Sequence, residues 1–223
     1  EVAALIAASI DWNEAAEINS YCSFTPGATF YTIAGSAKYD LFNNGCDISD
    51  IAYPNLKYNI SNGTVSGSIT SNSLGIYQIP VQEGTHTIQP NIENPAYFNI
   101  SPASIAINFP AVASPYNQDF CITPNGVHAD LEVSMIPLSA ASPGFDAYYK
   151  LIYKNKGNVA ISGTVDFSYG NNVEFVSATP NVSSQATQVL NWDFSGLQPF
   201  EQREIFVTMN VNSPTETPAV NDG

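Results

Sequence analysis

The segment Asp40-Leu41-Phe42-Asn43-Asn44-Gly45-Cys46-Asp47-Ile48-Ser49-Asp50 packs side-chain oxygens around one glycine, directly after an alternating run over residues 30–40. Ca²⁺ takes six to eight oxygens, and a short loop can supply them when a glycine lets the backbone turn sharply. Asp at the first loop position, Asn at the fifth and Gly at the sixth fit that pattern. Phe42 breaks it, because the third position normally carries Asp or Asn. Asp47 and Asp50 each fall one residue off the usual spacing. Two readings stand side by side. One is a Ca²⁺ loop with Asp40, Asn44, Asp47, Asp50 and the Cys46 carbonyl as ligands, and Asn43 as a lesser candidate. The other is a polar Asn-Asn-Gly hairpin turn without metal.

Other chemistries find less support. The two histidines, His86 and His128, are distant in sequence. His128 with Asp130 could mimic part of a Ser-His-Asp set, but no G-x-S-x-G elbow accompanies them. No phosphate-loop, dinucleotide or H-E-x-x-H pattern occurs. Cys22, Cys46 and Cys121 contain no C-x-x-C pair, which leaves zinc and thioredoxin-like chemistry unsupported. The expectation is a chain that is not an enzyme. An intramolecular Lys–Asn bond would need a strand lysine such as Lys38, and an ordinary solvent-facing lysine is the plainer reading.

Composition sets the class. Only 12% of the 223 residues are charged, about half the usual share, while 44% are hydrophobic. Twenty acids against six bases give a formal charge of −14. That excludes nucleic acid and anionic membrane as natural partners, since both need basic patches. Asn, Ser, Thr, Tyr, Val and Ile dominate, the vocabulary of an all-β extracellular protein. No run approaches 18 apolar residues, so no membrane insertion is expected. Lys150, Lys154 and Lys156 share one segment, which reads as a strand edge guarded by lysines. Neither end carries targeting logic, and the chain reads as an internal segment of a larger protein.

The fold class expected is all-β, with two tandem β-sandwiches after a short N-terminal helical remnant. Residues 1–24 read as a helix and a strand left over from an upstream domain. Residues 25–118 read as one sandwich, with strands at 30–39, 56–60, 65–70, 76–81, 85–92, 97–100 and 105–109. Residues 119–213 read as a second, with strands at 129–137, 147–155, 161–169, 174–177, 189–194 and 204–211. Residues 214–223 read as a linker. Trp192 sits in an alternating run and belongs in a core. Residues 110–119 would be a short, proline-stiffened link that buries Val112, Tyr116 and Phe120 between the domains.

Thr70-Ser71-Asn72-Ser73-Leu74-Gly75-Ile76-Tyr77, then Glu83-Gly84-Thr85-His86-Thr87-Ile88, resembles the second half of a Cna B-type, prealbumin-like domain. The Asp40 to Asp50 loop is similar to that of serine-aspartate-repeat B domains. Tyr149 to Asn155, Leu190-Asn191-Trp192 and Arg203 to Val211 resemble Ig-like surface repeats. The order of Asn44-Gly45-Cys46-Asp47, Phe120-Cys121-Ile122, Asn125-Gly126-Val127-His128 and Lys154-Asn155-Lys156-Gly157-Asn158 resembles large surface proteins of Bacteroidota exported by type IX secretion. In several of these, leucine-rich repeats precede the pair. The resemblance implies surface display, adhesion or scaffolding at an extracellular or cell-surface location.

In an oxidising exterior Cys46 is expected to pair with Cys121, which leaves Cys22 for a partner elsewhere. The function expected is a non-catalytic structural or adhesive stalk, stabilised by Ca²⁺ and a disulfide. Its partners would be neighbouring domains of the same chain and a surface glycan or protein. The alternatives are a carbohydrate- or protein-binding module using exposed aromatics such as Tyr53, Tyr97, Tyr116 and Phe145, or an accessory segment of a secreted hydrolase.

Overall fold

The computed structural model describes residues 29–221. Among them the chain forms seventeen strands and no helix. The helix and strand expected over residues 1–24, and Cys22 with them, lie outside the described residues. No helix among the described residues is long and apolar enough to cross a membrane.

Two-residue periodicity decides which faces go inside. β1 (Tyr31–Tyr39) organises the first sandwich. Its first half pairs antiparallel with β5 (Ile76–Val81) and parallel with β9 (Tyr116–Asn117). Its second half pairs antiparallel with β2 (Ile51–Ala52) and parallel with β10 (Phe120–Pro124), which continues to β7 (Phe98–Ser101). The second sheet holds β4 (Ser66–Thr70), β3 (Lys57–Ser61), β6 (Gly84–Asn91) and β8 (Ile105–Phe109), in that order. β5 turns Tyr77, Ile79 and Val81 inward, and β6 turns in His86, Ile88 and Pro90. Ile33, Tyr39, Tyr58, Phe109, Phe120 and Ile122 complete a core with almost no exposure. Each of the isoleucine and phenylalanine side chains contributes roughly 1.5–3 kcal/mol on burial. Gly35 lets β9 cross tightly over β1: a Cβ there would lie 1.8 Å from the Gln118 carbonyl oxygen.

The second sandwich stacks β11 (Leu131–Pro137), β12 (Asp146–Asn155), β17 (Gln202–Val211) and β14 (Val173–Thr179) against β13 (Ile161–Ser168), β16 (Val189–Leu197) and β15 (Ser184–Ala186). Leu151, Val165, Leu190, Leu197, Ile205 and Met209 form its core with Trp192. Trp192 satisfies its indole N–H on the Pro180 carbonyl at 3.0 Å, as a buried indole must.

Three expectations need correction. The division at 118/119 falls inside the first sandwich, because β9 and β10 both pair with β1. Nothing local to β9 or β10 shows that each returns to pair with β1, so this stretch reads as a link. Val112, Tyr116 and Phe120 accordingly pack in the first core rather than between domains. The lysine-bearing segment is not an edge either. β12 lies between β11 and β17. Lys150 pairs with Glu204 across the sheet, and Lys156 bridges Glu93 and Glu132.

Candidate functional site at the junction of the sandwiches

The chain leaves the first sandwich after Pro124 and enters the second at Leu131. The turn after β12, Lys156-Gly157-Asn158, closes back over this crossing. Asn158 has no exposed surface, and its side chain makes three of the four hydrogen bonds open to an amide, using both donors and the oxygen once. Its Oδ1 accepts the His128 N–H at 2.7 Å. Its Nδ2 donates to the Tyr97 carbonyl at 2.8 Å and the Gly126 carbonyl at 3.1 Å. Its backbone N–H donates to the His128 carbonyl, and its carbonyl accepts the Tyr39 hydroxyl at 2.6 Å. Burial, and then the neighbouring Asp40 charge, pushes the Tyr39 phenol up to about 12. Tyr39 is therefore a protonated donor at any ordinary pH. Gly157 is required by close approach: a Cβ there would lie 2.2 Å from the His128 carbonyl oxygen.

Asn155, at the end of β12, ties the turn within the second sandwich. Its Nδ2 donates to the Val159 and Leu197 carbonyls, and its Oδ1 accepts the Gly157 N–H. Its backbone carbonyl accepts the Phe200 N–H. Phe200, in the loop before β17, has φ of 68°. Bulky side chains avoid this left-handed region, at a cost on the order of 1–3 kcal/mol. The ring compensates by packing into the first sandwich, against Tyr53, Tyr39 and Phe98 at centroid distances of 4.5, 5.3 and 5.7 Å. His128 stacks on Tyr97 at 4.3 Å. The junction is therefore an aromatic plug ringed by hydrogen-bonded amides.

Beside the plug lies a cleft of about 300 Å³. A second, shallower depression shares Pro54, Asn55, Lys154 and Phe200 with it. Lys57 and Asn91 stand side by side in register on β3 and β6 at its wall. Lys154 and Lys156 reach it from β12 and the following turn, and Glu93 from the loop after β6. Glu132 and then Glu93 hold the Lys156 ammonium above the ordinary lysine range, and the Lys156 bond holds Glu132 below the ordinary carboxylate range.

The oxygen-rich loop is ordered differently from a cation cage. Asp40, almost fully buried, turns both carboxylate oxygens onto the loop's own amides: Oδ1 accepts the Asn44 N–H at 3.1 Å and Oδ2 the Gly45 N–H at 2.7 Å. Asp47 Oδ1 accepts the N–H and hydroxyl of Ser49, and those bonds lower its pKa. Asp50 Oδ2 accepts the Asp47 N–H. Asp40, Asp47 and Asp50 do not bring three carboxylates to one point. The three-residue grouping here is Asp40 with Cys46 and Cys121, and those sulfurs are joined to each other. The donor chemistry suits Ca²⁺, and the loop as it stands is a turn closed by its own hydrogen bonds.

Cys46 and Cys121 form a disulfide with Cα atoms 5.6 Å apart. It fastens the loop to β10. Lys38 donates to the Ile48 and Asp50 carbonyls rather than facing a side-chain amide. The His86 ring meets the Gln82 carbonyl. Of the four aromatics expected to be exposed, only Phe145 is, at 68%. Tyr53 is buried under Phe200, Tyr97 is half-covered by His128, and Tyr116 packs on the first core.

Sequence reasoning missed Phe200 and the roles of Asn155 and Asn158. A signal was present: two asparagines flanking a glycine in Asn155-Lys156-Gly157-Asn158, a pattern suited to saturating exposed backbone groups. Phe200 follows a proline in a loop and carries no periodicity to mark it.

The sequence matches no protein-family model and no curated protein. Among solved structures, the fimbrial protein FimP from Actonomyces oris is 8% identical with a TM-score of 0.30, over 85% of this chain and 59% of that one. The chain thus spans under two thirds of that protein's length. DUF3823 family proteins from Parabacteroides merdae and Bacteroides ovatus are each 11% identical, with TM-scores of 0.33 and 0.34. The first alignment covers 86% of this chain and 85% of that one, the second 83% of each. Likeness at this level carries no argument about function.

Proposed function

We propose that this chain is a stiff, non-catalytic structural or adhesive segment of a bacterial surface protein, holding its flanking domains at a fixed separation and angle. The observation that carries this reading is Asn158. A side chain with both donors and its oxygen paired across a domain crossing fixes orientation as well as distance, because each bond is directional. The Phe200 plug adds an apolar contact that a freely tumbling pair would lack. The type IX export route, the Cna B-type and Ig-like assignments and the extracellular location belong to the same proposal. They rest on the sequence resemblance and on a disulfide suited to an oxidising compartment.

Solution scattering tests the reading. A narrow distribution of interdomain distances is expected, and a broad one rejects the stiff segment. Turnover of a polymer substrate by the isolated chain would reject its non-catalytic character.

Calcium binding by Asp40, Asn44, the Cys46 carbonyl, Asp47 and Asp50 is a separate proposal, supported by donor chemistry alone. It requires Asn44, Asp47 and Asp50 to turn inward while Asp40 bridges or releases its amides. A ligand that binds only the folded loop raises the melting temperature. A higher melt in saturating Ca²⁺ than in chelator supports it, and identical melts reject it.

A further inference from the structure

The chain has six basic residues, Lys38, Lys57, Lys150, Lys154, Lys156 and Arg203, against twenty acidic ones. Three of the six line the cleft beside Phe200. The others are engaged elsewhere: Lys38 on backbone carbonyls, Lys150 on Glu204 and Arg203 on Glu201. Within the cleft Lys156 is neutralised by Glu93 and Glu132. Lys57 and Lys154 form no ion pair among the described residues. Lys154 is half-buried and lines both depressions. Glu132 stands opposite it on β11 but bonds Lys156 instead. An ammonium partly withdrawn from water without a carboxylate is costly unless something else supplies the anion. On a chain of net charge −14, a concave site that keeps Lys57 and Lys154 unpaired while Glu93 and Glu132 neutralise Lys156 is a local positive focus.

The remaining wall groups narrow the chemistry. Asn55, Asn91 and Asn94 also line the cleft and bring amide side chains to it. Paired donors and acceptors of this kind suit vicinal hydroxyls, and Glu93 adds a further acceptor. Asn55 holds a left-handed φ of 55°, a backbone state often found at ligand sites. The half-buried Phe200 ring lines both depressions and offers an apolar edge to each.

We infer that this cleft binds an anionic saccharide. Lys57 and Lys154 grip the acidic group of one sugar unit, the three asparagines take its hydroxyls, and the second depression accepts the next unit past Phe200. The inference rests on the fixed junction proposed above, since residues from both sandwiches build the walls.

The test is isothermal titration of the whole chain with an oligogalacturonate, a sulfated dextran oligosaccharide, a neutral galactan oligosaccharide and an oligoglutamate peptide. The expected result is binding of a carboxylated or a sulfated sugar, and which one binds identifies the source of the anion. Affinity should fall as salt rises. Lys57→Ala and Lys154→Gln should each weaken binding by about tenfold or more. Lys150→Ala, remote from the cleft, should match the wild type. Scattering on the same samples separates the two ideas. A narrow interdomain distribution without binding overturns the cleft alone, whereas a broad one overturns both. Equal affinity for the neutral sugar or for oligoglutamate, or lysine variants that bind like the wild type, would also overturn the inference.

Discussion

Replacing Asn158 by alanine removes three side-chain hydrogen bonds at once, to the His128 N–H and the Tyr97 and Gly126 carbonyls. Each contributes about 1 kcal/mol net, and a buried donor left without a partner costs more, so the loss should be about 3–5 kcal/mol. None of these bonds lies within a sandwich core. The cost should therefore appear as uncoupling of the two units rather than as unfolding of either. Scanning calorimetry of the wild type should give one cooperative transition, and Asn158→Ala should split it in two. Scattering of the variant should show a wider interdomain distribution. Asn158→Asp is a sharper probe. It keeps the acceptor for His128 but turns an oxygen towards two carbonyl oxygens, so it should be at least as damaging as alanine. A variant that melts in one transition within about 1 kcal/mol of the wild type, with unchanged scattering, would refute the claim that this asparagine locks the junction.

Removing the disulfide with Cys46→Ala and Cys121→Ala releases a loop of 75 residues' separation. The chain-entropy relation gives about 4.5 kcal/mol for it, and denaturant titration of the first sandwich should show a loss of that order, with no change indicating a structured reduced state. Gly157→Ala places a methyl group 2.2 Å from the His128 carbonyl oxygen. It should cost about 1–3 kcal/mol, whereas Gly67→Ala, with nothing within 4 Å, should be neutral in the same melt. The Lys156 cluster sets a pH dependence. Glu132 is depressed in the folded state, so its contribution is present above its unfolded pKa of about 4.3 and is lost as pH falls through the folded value. Lys156 is raised, so its contribution holds below its unfolded pKa of about 10.4 and is lost as pH rises through the folded value. Because Glu132 and Glu93 are largely exposed, the effect should stay at or below about 1 kcal/mol. Glu132→Gln should flatten the acid limb of a stability-against-pH curve, and an unchanged limb rejects the assignment.

Most strands were legible because alternation is a local property. Residues 76–81 and 105–109 alternate clearly enough that reading them one residue at a time gives the observed bounds. The Cys46–Cys121 pairing was legible from cysteine number and placement together with an oxidising location. Trp192 was legible as core because it sits in an alternating strand. What stayed hidden depends on pairing between distant segments. Nothing within Phe120–Pro124 announces that it lies parallel to β1, since a parallel pairing is decided by where the chain returns and not by its own pattern. The Asp40 loop shows the same limit in another form. Its composition fixes a set of oxygens, but only the folded turn decides that Asp40 faces the Asn44 and Gly45 amides. The junction was least legible of all. Tyr39, Phe98, Asn158 and Phe200 have no local relation to one another, and their meeting follows from the directional bonds and close packing that only the assembled sandwiches can satisfy.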